Sequence, residues 1–293
     1  MKIGLGAPVS GAWATPDTLT NVAVRAEELG YDELWTFQRL LVGTEDHLDP
    51  VYQSVLDPLL PLSFAAARTT RIRLGVALVN LPFISPVHLA KQAATLDVLS
   101  GGRFDLGLGT GWSRTEFTAT GADKARRGHR AEEFVKVLHT LWHDDPASFE
   151  GEFYTIPPSR MRPRPVQPGG PPILLGGVVK PALQRAGRVA AGWMSRSATD
   201  LDHIADDIAV VKNAAPDPDR TRIVVRGVVR PGPRDGRLTG TYDEIRADAD
   251  WLGEQGVTDL YYDLNWHDRI GNPDVPLEEA TEQAMTIIEA LRP

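Results

Sequence analysis

The chain has 293 residues, of which 42% are hydrophobic and 24% charged, and its formal net charge is −8 at pH 7. This length fits one α/β barrel or two smaller domains, and the negative charge argues against nucleic acid or an anionic membrane as partner. The lack of any cysteine excludes disulfides, thiolate metal sites and a cysteine nucleophile. Because the first residues carry neither a basic region nor a long apolar run, we expect a cytoplasmic protein without a signal peptide or membrane span.

Short apolar segments alternate with amphipathic ones along the chain. Residues 2–7 form an apolar run typical of a buried strand, and Thr15 and Pro16 then supply the cap and first turn of a helix that Gly30 ends. Further strands are predicted at 33–37, 72–79, 103–108, 172–175, 192–194, 223–229 and 259–264. Helices are predicted at 85–101, around 134–142, at 181–191, from 199, at 241–256 and at 277–291.

Eight apolar strands alternating with helices favour a (β/α)8 TIM barrel, with residues 1–293 forming a single domain. An open doubly wound sheet is the alternative on this pattern alone. Residues 144–171 form an insertion between the fourth helix and the fifth strand, and residues 149–154 within it resemble a small hairpin. We expect this insertion and the loop at 42–56 to cover the pocket, where Tyr52, Phe153 and Tyr154 indicate a partly apolar organic substrate.

Functional groups of a TIM barrel lie where the strands end at the C-terminal face. The strand-end candidates are Ala7, Pro8, Phe37, Gln38, Arg39, Leu78, Val79, Asn80, Thr110, Gly111, Trp112, Gly176, Gly177, Ser195, Arg196, Arg230, Asn265, Trp266 and His267. Residues 107–112 lack the third glycine of a dinucleotide fingerprint, so we interpret their glycines as space for a flat ligand beside Trp112. Gly176 and Gly177 precede a helix, where backbone amides bind phosphate, although a simple tight turn is the alternative.

Histidine spacing does not indicate a metal site. His139 and His143 stand four residues apart on one helix, but the helix lacks the glutamate of the zinc-binding HExxH motif. We therefore predict no bound metal and interpret these two histidines as surface residues.

The first two thirds of the chain contain a series of segments that resemble, in the same order, those of a known family. These segments are 33–37, 72–76, 86–92, 95–103, 107–117, 127–133, 163–167, 172–177 and 186–193. The chain resembles the bacterial luciferase-like superfamily of flavin- and coenzyme F420-dependent oxidoreductases. The resemblance implies an enzyme that acts on a small organic molecule, and a homodimer formed through helices near the second and third strands. It also implies that Glu116 pairs with a following arginine such as Arg127 or Arg130.

The same resemblance implies where a cofactor binds. Its ring would lie over a bulge in the third strand at Ala77, Leu78 and Val79, often marked by a non-proline cis peptide near Ala77–Leu78. Thr110, Gly111 and Trp112 would flank the ring, and Gly176, Gly177 and Val178 would receive the phosphate. Ala7, Phe37 and Ser195 complete the implied set.

One position departs from the family pattern, because Gln38 and Arg39 replace the acid–histidine pair found in many members at the end of the second strand. Arginine stays protonated and cannot act as a general base at neutral pH, but it can orient an anionic substrate or a cofactor carbonyl. The catalytic candidates are therefore Gln38, Arg39, Trp112 and His267, with Asp263 and Tyr262 as further alternatives for the acid or base.

Two cofactors fit the resemblance. Coenzyme F420 transfers hydride, whereas reduced FMN supports monooxygenation with O2. We favour F420, because Arg39, Arg160, Arg162, Arg164, Lys180 and Arg196 can hold its anionic tail and because the Ala-, Arg-, Gly- and Pro-rich composition is typical of actinobacterial genomes. A cofactor-free binding or subunit protein of the same superfamily is the third interpretation.

Overall fold

The computed structural model describes all residues from Met1 to Pro293 and contains twelve strands. These are β1 (Lys2–Gly6), β2 (Glu33–Thr36), β3 (Arg73–Asn80), β4 (Phe104–Gly109), β5 (Ala147–Glu150), β6 (Thr155–Ser159), β7 (Ile173–Gly176), β8 (Gly192–Met194), β9 (Arg222–Val228), β10 (Arg230–Pro231), β11 (Thr239–Gly240) and β12 (Asp259–Asp263). Eight of them pair in parallel as a closed barrel in the order β1-β12-β9-β8-β7-β4-β3-β2, with β1 also pairing with β2. The predicted (β/α)8 barrel is confirmed, and the open sheet is wrong.

Nine α-helices follow the strands. They are α1 (Pro16–Leu29), α2 (Leu59–Ala66), α3 (Pro86–Ser100), α4 (Arg114–Thr120), α5 (Arg127–His143), α6 (Lys180–Val189), α7 (Ile204–Ala214), α8 (Tyr242–Glu254) and α9 (Leu277–Ala290). The predicted caps are present: the Thr15 side chain accepts from the Thr18 amide, and Thr241 and Glu244 form a capping box. None of these helices combines the length and the apolar character needed to cross a bilayer.

Two helices were missed in the sequence, and one begins later than predicted. Helix α2 is apolar on all sides and has no side-chain cap at Pro58, so it shows neither the periodicity nor the start signal of a helix. Helix α4 has only seven residues, which is too short for a periodic pattern. Helix α7 begins at Ile204 rather than at Thr199.

The insertion contains the predicted hairpin, formed by β5 and β6 in antiparallel pairing. It packs on the outside of the barrel against α5, where the Tyr154 ring lies 5.7 Å from that of Phe134 and Glu133 accepts from the Phe153 amide at 2.8 Å. Phe153 and Tyr154 line neither of the two cavities described below, so their expected role in shaping the pocket stays a prediction. Tyr52 from the 42–56 loop does lie at the barrel mouth, as described below.

Charged side chains close the N-terminal end of the barrel. Arg222 at the start of β9 contacts Glu33 at 3.0 Å, Asp259 at 2.8 Å and Asp105 at 3.1 Å. Burial and the neighbouring Asp259 carboxylate raise the pKa of Glu33 to about 8. Because this end is filled, ligand access is confined to the opposite, C-terminal face.

Candidate functional site

Strand β3 is irregular where it reaches the C-terminal face. Its register against β4 shifts between Val76 and Val79, and the Ala77–Leu78 peptide bond is cis. The bulge and the cis bond therefore occur at the positions implied by the family resemblance.

Glycines on the neighbouring strands make room for this bulge. A Cβ atom at Gly176 would lie 2.5 Å from Leu78 Cδ1, and one at Gly109 would lie 3.1 Å from the same atom. At Gly107 the Cβ would lie 2.2 Å from the carbonyl oxygen of Val76. Gly107 and Gly109 were interpreted in the sequence as space for a flat ligand, and Gly176 as part of a phosphate site, but in the structure all three lie directly against the bulge. Their effect on a ligand is indirect, through the position of Leu78.

Arg226 supports the bulge from inside the barrel and was missed in the sequence. Its Nη2 donates to the Ala77 carbonyl at 2.6 Å and its Nε to the Tyr261 hydroxyl at 2.5 Å. The Asp263 carboxylate lies 3.3 Å from Nε and balances the charge. A charged residue in the middle of the apolar β9 run was the available signal, since a buried charge requires partners.

Arg39 is buried in an ion pair with Glu116, with Nη1 and Oε2 2.8 Å apart. The other Glu116 oxygen accepts from the Leu40 amide at 2.8 Å, so the expected pairing of Glu116 with Arg127 or Arg130 is wrong. Arg127 instead donates to the Gly111 carbonyl at 2.7 Å. Only Nε of Arg39 is both buried and without a hydrogen-bond partner. Arg39 is therefore held by Glu116 and is not a free cation at the mouth.

Aromatic rings form one wall of the mouth. The Arg39 guanidinium lies 4.4 Å from the Trp112 ring centre and 4.6 Å from that of Tyr52. The Tyr52 ring lies 6.0 Å from that of Trp112, and the Phe37 ring lies 4.8 Å from that of Trp266. Trp112 is 52% exposed, which leaves one side of it open to a ligand.

The remaining rim candidates differ in how accessible they are. Gln38 Oε1 accepts from the Asn80 amide at 2.9 Å and joins the ends of β2 and β3. Ala7 is fully buried, and its carbonyl accepts from Asn265 Nδ2 at 2.9 Å. Val79 is also buried, whereas Leu78 and Thr110 are half-buried at the mouth. Ala7 and Val79 thus support the rim from below, and Leu78 and Thr110 reach its surface.

The start of helix α6 has an uncapped end. Val179 makes no side-chain cap, the first turn carries no acidic residue, and the amides of Gly177, Val178 and Val179 have no acceptor within the chain. A Cβ at Gly177 would lie 2.6 Å from that of Ala182, so this glycine lets the strand end approach the helix closely. Ser195, at the end of β8, is buried and its hydroxyl accepts from the Arg226 amide at 2.9 Å. Free amides at a helix start can bind a phosphate group.

The acid–base candidates on β12 have distinct surroundings. Burial lowers the pKa of His267, and its Nδ1 accepts from the Arg269 amide at 3.2 Å, so the neutral ring carries its proton on Nε2 and offers a donor. Asp263 pairs with Arg226 and accepts from Asn265 Nδ2 at 2.8 Å. The charges nearest Tyr262 are Asp250 and Arg246 of α8, which places its hydroxyl among the outer helices and away from the mouth. Tyr262 is therefore excluded as acid or base.

Most of the basic residues expected to hold an anionic tail are already paired. Arg160, Arg162 and Arg164 all contact Asp145 beside the hairpin, and Arg39 pairs with Glu116. Lys180 and Arg196 are exposed and have no carboxylate partner. Only these last two of the predicted six remain free.

A polar cavity of about 330 Å³ opens next to Arg226. Its walls are the segment after β8 and the segment that connects β9 to β11, and only two of the twelve lining residues are hydrophobic. A second, smaller cavity of about 50 Å³ lies beside His267 and shares Arg230 with the first. The mouth thus combines an aromatic wall with a polar chamber.

The sequence model of a family described as luciferase-like monooxygenase matches residues 3–284 of this barrel. The chain belongs to the luciferase-like monooxygenase family. Membership accounts for the bulge in β3 and for its cis peptide bond at the C-terminal face, because the family resemblance implied both. A luciferase-like barrel is thus established for almost the whole chain.

Individual relatives match parts of the sequence. A protein of Mycobacterium tuberculosis is 36% identical over 147 residues, which cover 50% of this chain and 52% of that protein. The F420-dependent glucose-6-phosphate dehydrogenase of Kineococcus radiotolerans is 32% identical over 206 residues, covering 68% of this chain and 58% of that enzyme. The matched regions thus span a little over half the length of these relatives.

Solved structures of other proteins have the same fold. The monooxygenase RslO1 from Streptomyces bottropensis has a TM-score of 0.78 and 24% identity, covering 99% of this chain and 98% of its own. An F420-dependent secondary alcohol dehydrogenase, solved with an F420–acetone adduct, also has a TM-score of 0.78, with 17% identity and coverage of 100% and 99%. At these identities the likeness concerns the barrel fold.

Proposed function

We propose that this luciferase-like protein is a coenzyme F420-dependent oxidoreductase that transfers hydride to or from a small organic substrate. The observation that carries the proposal is the bulge at Ala77–Leu78, which presents an irregular backbone edge at the mouth and is held from below by Arg226. Trp112 is half exposed at the same C-terminal face and offers an aromatic surface to a flat ring. The acceptor-free amides of Gly177, Val178 and Val179 suit the phosphate group of the same molecule.

Each part of the site has a distinct task in this proposal. Arg226 fixes the Ala77 carbonyl, and thereby the edge on which the ring lies. Arg39, itself held by Glu116, positions the Trp112 and Tyr52 rings beside the end of the second strand. Lys180 and Arg196 attract the anionic tail of F420. When bound, the deazaflavin would supply a two-electron hydride donor or acceptor.

F420 is favoured over FMN by the two exposed cations without a carboxylate partner, Lys180 and Arg196, and by the F420-dependent relative. The resemblance to a monooxygenase structure supports FMN as the second candidate. The two cofactors differ in their tails, since F420 adds an anionic oligoglutamate to its phosphate. Lys180 and Arg196 should therefore contribute more to the affinity for F420 than to the affinity for FMN.

Titration of the purified chain with F420 and with FMN, followed by absorbance and fluorescence, tests the proposal. We expect F420 to bind at micromolar concentration and more tightly than FMN, with Lys180→Gln and Arg196→Gln each weakening F420 by a few-fold and FMN by less. Arg292→Gln, at an exposed position near the C-terminus, serves as the charge-matched control. Tighter binding of FMN would support the monooxygenase. If neither F420 nor FMN binds, the cofactor-free protein would be supported.

We also propose that the chain forms a homodimer through α2 and α3. Leu60 and Phe64 lie one turn apart on α2 and are 71% and 37% exposed, and Leu99 on α3 is 63% exposed. Exposed apolar side chains grouped on adjacent helices are typical of a protein–protein interface.

A further inference from the structure

The polar cavity has a floor and a rim with different charge properties. Arg226, Val228 and Arg230 all line it, because alternate residues of an extended strand point to the same side. Arg226 is buried at the floor, whereas Arg230 is exposed at the rim. Their Cα atoms are four steps of extended backbone apart, which is about 13 Å at ~3.3 Å per residue. The cavity therefore suits a ligand the size of a six-carbon chain.

The floor offers a hydrogen-bond donor next to the proposed ring position. Nε and Nη2 of Arg226 are used by Tyr261 and Ala77, but Nη1 has no acceptor within the chain and is not buried. The positive charge of Arg226 is already balanced by Asp263 at 3.3 Å. This nitrogen therefore suits a neutral oxygen, such as a hydroxyl or carbonyl, better than it suits an anion.

The rim offers an unbalanced positive charge. Arg230 has no carboxylate within 4.0 Å, whereas the other rim cation, Arg237, contacts Asp202 at 2.7 Å and Asp248 at 3.0 Å. The rim acids Asp200 and Asp202 accept from His203 and Arg237, which leaves Asp235 as an acceptor for a ligand hydroxyl. An anionic group on a ligand would therefore find its partner in Arg230.

We propose that this cavity binds a small polyhydroxylated substrate that carries a carboxylate or phosphate, with the anion on Arg230 and the reacting carbon–oxygen group at Nη1 of Arg226. The proposal rests on the proposed function, because that function places the ring at Ala77, whose carbonyl the same guanidinium contacts. The reacting end would then lie beside the ring and the anion would lie at the solvent side. This polar substrate differs from the partly apolar one that Tyr52, Phe153 and Tyr154 indicated in the sequence.

Calorimetric titration of the full chain with gluconate, sorbitol 6-phosphate and sorbitol tests the anion site. These probes share a six-carbon polyol chain and differ in the terminal group. We expect the better of the two anions to bind roughly tenfold more tightly than sorbitol, as a charge-assisted hydrogen bond to one arginine implies. Arg230→Gln should reduce this preference to less than about threefold. Arg220→Gln, an exposed arginine just before β9 at the opposite face, should leave it intact.

The outcome separates this inference from the proposed function, since the titration requires no deazaflavin. A preference for the phosphate or for the carboxylate identifies the anion and supports the site. The anion site would be overturned if the anions bind no more tightly than sorbitol, or if neither anion binds. It would also be overturned if the preference for the anion persists in Arg230→Gln. Failure of F420 binding with an intact Arg230-dependent preference would reject the proposed function and leave the anion site standing.

Discussion

Arg39 Nη1 lies 2.8 Å from Glu116 Oε2, and both side chains are almost completely buried. This contact joins the end of β2 to helix α4 and holds the guanidinium against Tyr52 and Trp112. The corner where many family members place an acid and a histidine is therefore occupied here by a neutralised ion pair. A guanidinium held in this way can position the aromatic wall, but it cannot serve as a general base.

Removing one partner of this pair should be strongly destabilising. Glu116→Leu leaves the Arg39 charge buried without a counterion, and we expect the free energy of unfolding to fall by about 3–5 kcal/mol, measured by urea denaturation. The double variant Arg39→Met with Glu116→Leu should recover a large part of the loss, because it removes both charges. Glu279→Leu, which breaks the exposed contact with Arg269, should have little effect. Equal effects of Glu116→Leu and Glu279→Leu would contradict the role assigned to the buried pair.

The position of Leu78 should control cofactor affinity. Gly176→Ala places a Cβ 2.5 Å from Leu78 Cδ1 and must displace that side chain. Since only the end of a flexible side chain has to move, we expect a small loss of stability but about a tenfold rise in the F420 dissociation constant, measured by fluorescence titration. Gly253→Ala on α8, where a Cβ meets nothing nearer than 3.8 Å, is the control. An unchanged dissociation constant in Gly176→Ala would show that the bulge does not carry the ring.

Glu33 should make stability depend on pH. Its pKa is raised from the ordinary value of 4.5 to about 8, so the folded chain binds the proton more tightly than the unfolded chain does. The resulting stabilisation is fully present below about pH 4.5 and is lost as the pH rises toward about 8. In Glu33→Gln this loss is absent, and the difference in unfolding free energy between wild type and variant should change across that window. Urea denaturation at several pH values measures it, and parallel curves for the two proteins would rule out the raised pKa.

The exposed face of α2 should determine the oligomeric state. Leu60→Glu places a charge in the proposed interface, and we expect the dimer to dissociate to a monomer in sedimentation velocity experiments. Leu277→Glu, at an exposed leucine on α9, should leave the dimer intact. A wild-type chain that is monomeric at micromolar concentration would exclude the proposed interface.

The sequence predicted the barrel well because each element carries its own local signal. The Thr15 cap, the Thr241–Glu244 capping box and the apolar strands each depend on neighbouring residues only. Helix α2 has neither a side-chain cap nor apolar periodicity, and the sequence analysis missed it for that reason. Helix α4 does have a Ser113 cap and a terminal Gly121, but its seven residues are too few to show a periodic pattern. The bulge at Ala77–Leu78 was located through the family resemblance, since no local pattern in residues 72–79 indicates it.

The sequence by itself determined the eight-stranded barrel, the face on which the site lies and the strand-end residues that surround it. Only the tertiary structure decided which charges are free: Arg39 is neutralised by Glu116, Arg226 supports the bulge, and Arg230 remains without a partner. The physical reason is that strand and helix formation depend on residues close in the sequence, whereas a charge is balanced by residues close in space. Glu116 lies 77 residues from Arg39, and Ala77 lies 149 residues from Arg226.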